Sequence, residues 1–353
     1  MVNHLQNLLK KIEKLYDTVN LNISNVDFRR TKELNIKEKY GQNRFFPKPI
    51  MEDVNENLVF CYLINCNNTN LFIYTSYNLK EINSNKDDIL KIVNNICRII
   101  SIIRKLFNNY NELTVHYFDC KLKKKFPNKK GIILTEENCN SGSSYVGSYL
   151  MFVYRREEYI RVLIHELIHS FFGDYELIDD NLNKEFTNYF CLKYDDNINV
   201  NETYTETLAT ILNLIYHYLE SDRRLSIEKM FQKEFKYSIL TASSILKHYS
   251  FHSINQLLKS NKCKKMEQKT SVFNYYILKP FMLNNLDGFF TLLKECTNNF
   301  VFLQSEKCKK QFINLILNNF NDINIQRKID NLINKKNNRN IRKNNSLAMV
   351  FYN

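Results

Sequence analysis

Tryptophan is absent from this 353-residue chain, and glycine (6) and proline (4) are scarce. That scarcity excludes collagen-like, proline-rich and glycine/serine low-complexity architectures. No apolar run is long enough to read as a membrane span. The closest stretch, Ile89 to Leu106, is interrupted by Lys91, Asn94, Asn95, Arg98, Arg104 and Lys105 at helical spacing, so a soluble helix is expected there and no transmembrane segment. The cysteines number nine and contain no CxxC pair. An odd count, with an amphipathic lysine-bearing opening in place of a signal peptide, predicts free thiols and an intracellular, reducing compartment.

What is present suits a globular protein of one to two domains: 44% hydrophobic and 13% aromatic residues. The net charge of +13 is concentrated in Lys121 to Lys125 with Lys129-Lys130, and in the tail 325–345. The expected roles are a solvated loop and a solubilising tail. An acidic protein partner or a nucleic-acid contact are the alternatives, although no aromatic interleaving or nucleic-acid motif accompanies the charge.

Residues 165–169 read HELIH inside the apolar run Val162 to His169. On a helix, His165 and His169 project from one face and can share a metal ion, while Glu166 lies where it can take a proton from water. The chain holds only 7 histidines, and burying two of them with an acid in so apolar a helix is costly without a purpose. A helix over about 155–172 is predicted, with Gly173 as its left-handed stop. One Zn2+ per chain is the expected cofactor.

A catalytic zinc takes three protein ligands and keeps one position open. The glycine and histidine that a metzincin needs after the pentad are replaced by Phe172 and Tyr175, which excludes that class. The stretch Asn201 to Ala209 instead opens a helix running to about Glu220 and offers Glu202 and Glu206. Asp174, Glu176 and Glu185 are the remaining candidates for the third ligand.

With the pentad followed by these glutamates, the sequence resembles the gluzincin class of zinc metallopeptidases. If Glu202 is the third ligand, as preferred, Thr205 is the small residue packing on the motif helix and Glu206 a carboxylate holding a histidine ring. If the small residue is Ala209, Glu206 is the ligand. Both alternatives stay open at this point. Further segments are similar to HExxH metallopeptidase-like proteins of large DNA viruses: Asn140 to Ser144, Arg156 to Tyr159, Val162 to Ile164, Asn201 to Ala209, Thr270 to Ile277 and Ser346 to Met349. That resemblance implies a peptidase acting on a peptide or protein substrate, in host cytoplasm or virion.

The expected fold is α+β and zincin-like: an N-terminal lobe with a small mixed sheet and the active-site helix, then a mostly helical lobe. The boundaries read 1–57 helical and irregular, 58–175 sheet and motif helix, 176–325 helical with the third ligand, and 326–353 a basic, partly disordered tail. Leu58 to Ile64 and Leu71 to Tyr74 predict a hairpin, and Leu113 to Phe118 and Gly131 to Leu134 further strands. Ser141 and Gly142, within Asn140 to Val146, are candidates for a sheet edge to which a substrate adds as a strand. Candidate oxyanion stabilisers are Tyr275 and Tyr276 first, then Tyr204, His217, Tyr237, His248 and His252.

Two readings compete with a peptidase. One is a catalytically inactive zincin-fold structural or binding protein, such as a virion component. The other is a basic nucleic-acid-associated protein in which HELIH is structural.

Overall fold

The computed structural model describes residues 2–19, 21, 23–30, 46–77, 85–192, 199–260, 262–335 and 346–352. It is a mixed α+β protein that divides into two units. Asn7–Lys123 and Asn140–Gly173 form a sheet unit; Met1–Gln6, Lys124–Cys139 and Asp174–Tyr352 form a helical unit. The chain therefore interleaves the two, and Lys124–Cys139 groups with the helices rather than with the sheet.

The sheet has six strands: β1 (Ile23–Arg30), β2 (Phe60–Cys66), β3 (Thr69–Thr75), β4 (Leu113–Phe118), β5 (Gly142–Ser144) and β6 (Leu150–Val153). Their order across the sheet is β1-β2-β3-β4-β6-β5. β1, β2 and β3 are antiparallel; β4 runs parallel to both β3 and β6; β5 closes the sheet antiparallel to β6. The β2–β3 hairpin turns on Asn67 and Asn68 alone, whose φ of 46° and 62° suit a two-residue turn matched to strand twist. Asparagine tolerates that conformation better than most residues, which accounts for the Asn-rich sequence.

β3 and β4, being parallel, need a crossover, and the helix Asn85–Phe107 supplies it. Its buried stripe Ile89, Ile92, Val93, Ile96, Ile99, Ile100 and Ile103 repeats at helical spacing. The charged residues that break its apolar run in sequence share its opposite face, except Arg104, which is buried and donates to the carbonyls of Asn67, Asn68 and Asn111. No helix among the described residues is long and apolar enough to cross a membrane.

Several expectations need correction. The segment 1–57, read as helical and irregular, also contains the strand β1, and its helix Lys48–Asn57 is begun by Pro47 and buried through Ile50, Met51 and Val54. Gly131 to Leu134 is no strand; only Leu134 makes an isolated bridge, to Gln268. Ile227–His248 is one continuous helix. In and beside the tail 326–353, Ile323–Asn334 is a helix buried through Ile325, Ile329 and Ile333, and Leu347 to Val350 are buried. Residues 336–345 of that tail lie outside the described residues. Lys124, expected in a solvated loop, is fully buried. Four cysteines expected as free thiols are paired, Cys191 with Cys263 and Cys296 with Cys308. Cys61, Cys66, Cys97, Cys120 and Cys139 are buried and are not disulfide-bonded.

Candidate metal centre

The helix Tyr159–Ser170 carries the HELIH residues, and every side chain from Ile160 to Ser170 is buried. It packs on β5, β6 and the helix Asn85–Phe107, which explains why apolar residues flank the pentad on nearly all sides. Its C-terminus differs from the reading above. The left-handed residue is Phe172, at φ 61°, and not Gly173. The Gly173 amide bonds Ile168 O at 2.8 Å, closing the helix by the wide loop of a Schellman-type end. A Cβ on Gly173 would come within 2.9 Å of that same carbonyl, so glycine is needed there for space.

Within the helix, the Nε2 atoms of His165 and His169 lie 3.0 Å apart, and both residues are 5% exposed. The rings stand at 76° to one another. One ion bound tetrahedrally at zinc–nitrogen lengths of about 2.0–2.1 Å would hold two such nitrogens roughly 3.3 Å apart. The converging pair therefore fits a shared metal with little movement.

Glu166 faces the sheet edge. The Ser144 hydroxyl donates to its Oε2 at 2.7 Å, and to its backbone carbonyl at 3.3 Å. Ser144 ends β5, the outermost strand beyond β6. Gly142, at the other end of β5, sits so close to the helix that a Cβ would meet Val162 Cγ1 at 2.6 Å and Glu166 Oε1 at 2.9 Å. The Phe152 carbonyl, at 2.9 Å, blocks a shift in the other direction. Ser141 is turned away from Glu166: its hydroxyl donates to Glu158 Oε1 at 3.0 Å. The loop after β5 returns to the motif helix, where the Gly147 amide donates to His169 O at 3.0 Å.

In the helical unit, Glu202 and Glu206 share the helix Asn201–Glu220, one turn apart. Glu202 lies in its first turn and is partly exposed. Asp174 anchors that turn: its Oδ2 accepts from Asn201 Nδ2 at 2.7 Å and Thr205 Oγ1 at 3.0 Å. Glu206 is buried in an ion-pair group, with Lys279 Nζ 3.3 Å from its Oε1 and 3.1 Å from Glu234 Oε1. Neither Lys279 nor Glu234 was singled out from the sequence. A lysine following an aromatic run carries no signal that it will be buried against two acids.

The oxyanion candidates are largely engaged elsewhere. The Tyr276 hydroxyl donates to Leu347 O at 2.8 Å, Tyr237 to Ala348 O at 2.8 Å and Tyr204 to Phe300 O at 2.9 Å. His248 Nε2 bonds Ile132 O at 2.8 Å. The His217 imidazole is held neutral by burial, its pKa pushed down to about 4 against the opposing pull of Glu220. Tyr275 is buried beside Tyr276 in the π-helical turn Phe273–Ile277. The backbone amide of His252 donates to Gln256 Oε1.

No family model and no solved structure matches the chain. An uncharacterized protein of Acanthamoeba polyphaga mimivirus is 27% identical over 155 residues, which is 42% of this chain. The chain spans 39% of that relative's length. This distant similarity is to a viral protein and carries no activity with it.

Proposed function

We propose that the chain is a zincin-like, zinc-dependent peptidase. The observation that carries the reading is the pair of buried histidine nitrogens, converging 3.0 Å apart beside a glutamate bonded to the edge strand β5. A helix that needed only to fill a core would place apolar side chains at these three positions.

His165 and His169 hold the ion, with Glu202 as the third ligand. The choice of Glu202 over Glu206 is supported inside the helical unit. Glu206 is committed to Lys279, whereas Glu202 occupies the helix turn that Asp174 fixes. A bound zinc supplies Lewis acidity toward water and a peptide carbonyl. Glu166 accepts the proton of the attacking water and returns it to the leaving amine. Ser144 orients that carboxylate from the strand side. β5 is the edge on which an extended peptide adds as a further strand, and Gly142 keeps the strand close to the base. A tyrosine for the oxyanion is not assigned, because the hydroxyls of Tyr204, Tyr237 and Tyr276 bond backbone carbonyls.

Metal analysis of the purified protein, paired with cleavage of an unbiased peptide library, tests the reading. About one equivalent of zinc and zinc-dependent cleavage are expected. Protein that binds no zinc under any loading condition ends it. Zinc without cleavage leaves the binding-protein alternative in place.

A further inference from the structure

The last described residues, 346–352, do not simply trail over the helical unit. Leu347, Ala348, Met349 and Val350 are each 5% exposed or less. Their backbone is bonded chiefly by side chains. Tyr276 donates to the carbonyl of Leu347, Tyr237 to that of Ala348, Lys279 to that of Met349 and Asn213 to that of Tyr352. Glu234 Oε2 accepts from the Phe351 amide at 2.7 Å. The Leu347 amide also meets Lys124 O at 3.2 Å, and Ser346 bridges Lys125.

Side chains from four helical segments that read the main chain of an extended stretch, while its apolar side chains are buried, constitute a peptide-binding groove. The groove also reaches the helix that carries Glu202. Lys279 touches the Met349 carbonyl, Glu206 and Glu234 at once. Emptying the groove removes an acceptor from the ammonium and a donor from Glu234, which leaves buried polar groups to be met by water or by movement of the helices.

We propose that the helical unit contains a second peptide-binding site whose ligand is residues 346–352 of this chain, and that its occupancy supports the helix that carries Glu202. The groove itself stands independently; its effect on the metal rests on the reading of Glu202 as a ligand. The segment acts as a detachable strap, recognised through its backbone and by its row of apolar residues.

The test uses the full chain, folded and zinc-loaded, with a site for a sequence-specific protease placed within 336–345 and cut after folding. A labelled synthetic peptide of residues Ser346–Tyr352 is the probe. The nicked protein is expected to exchange its own segment for the probe, saturably and one to one. Tyr237→Phe, which deletes one donor to the strap, should weaken the probe by about three- to tenfold, the scale of one hydrogen bond. After the cut segment is washed out, transfer of zinc to a chelator should accelerate at least about tenfold, the lower end for loss of a group supporting a ligand, and added probe should reverse this.

Failure of the probe to bind the washed, nicked protein overturns the groove, as does a segment that never exchanges. Zinc transfer unaffected by the empty groove overturns the coupling. An intact protein that never binds zinc overturns the metal reading instead, and probe binding still reports on the groove.

Discussion

In the sheet unit, the Glu166 carboxylate takes a hydroxyl from an edge strand; in the helical unit, those of Glu206 and Glu234 share one ammonium. All three acids are buried. A carboxylate held by a serine keeps its capacity to accept a further proton, which suits a base. A carboxylate held against lysine has its charge compensated, which suits a support. Glu206, one helical turn beyond Glu202, has its charge compensated by Lys279.

The comparison is broken most completely at the histidines. His165→Ala or His169→Ala should each reduce bound zinc from about one equivalent to nearly none, since two remaining ligands rarely retain the ion. Metal analysis after dialysis reads this out, and unchanged zinc in both variants would refute the site. The next largest effect is expected in the helical unit. Lys279→Met leaves two carboxylates buried without their shared cation and should cost about 3–5 kcal/mol in denaturant unfolding. A loss below about 1 kcal/mol would show that the group is hydrated in solution and that the support role is misassigned.

Glu166→Gln sharpens the contrast from the other side. It should keep zinc and fold, yet lower turnover by about a hundredfold or more, measured as cleavage of the same peptide library. Equal turnover would remove Glu166 as the base. Gly142→Ala places a methyl against the Phe152 carbonyl and Val162 and should destabilise by about 1–3 kcal/mol, with a fall in thermal midpoint as the readout. No change would mean that β5 sits farther from the motif helix. The smallest effect is expected for Ser144→Ala. Losing one hydrogen bond to a charged group should cost about 1–2 kcal/mol, and zinc content should not move. Zinc loss in that variant would make Ser144 part of the metal support rather than an orienter of the base.

How far each feature was legible follows the range of the interactions that make it. The β2–β3 hairpin, the crossover helix and the motif helix depend on neighbours a few residues away, and their spacing and turn residues announced them. β1 was missed because its polar sequence, Ile23–Arg30, shows little alternation and gains strand structure by pairing with β2. Gly131 to Leu134 was misread because a short apolar run makes a strand only if a partner strand is there to receive it. The free-thiol expectation failed for Cys191, Cys263, Cys296 and Cys308, since pairing depends on which cysteines the fold brings to within 5.4–6.0 Å between Cα atoms.

By itself the sequence determined the HELIH helix, the placing of two histidines on one of its faces, and the two glutamates on a later helix, because helical periodicity is local and follows from composition and spacing. Only the tertiary structure decided that β5 is an outer strand with Ser144 on Glu166. It alone decided that Glu206 pairs with Lys279, and that residues 346–352 lie in a groove of polar side chains. Those outcomes join residues far apart in the chain. Their free energy comes from burial and from pairing of desolvated groups, which exist only once the packing does.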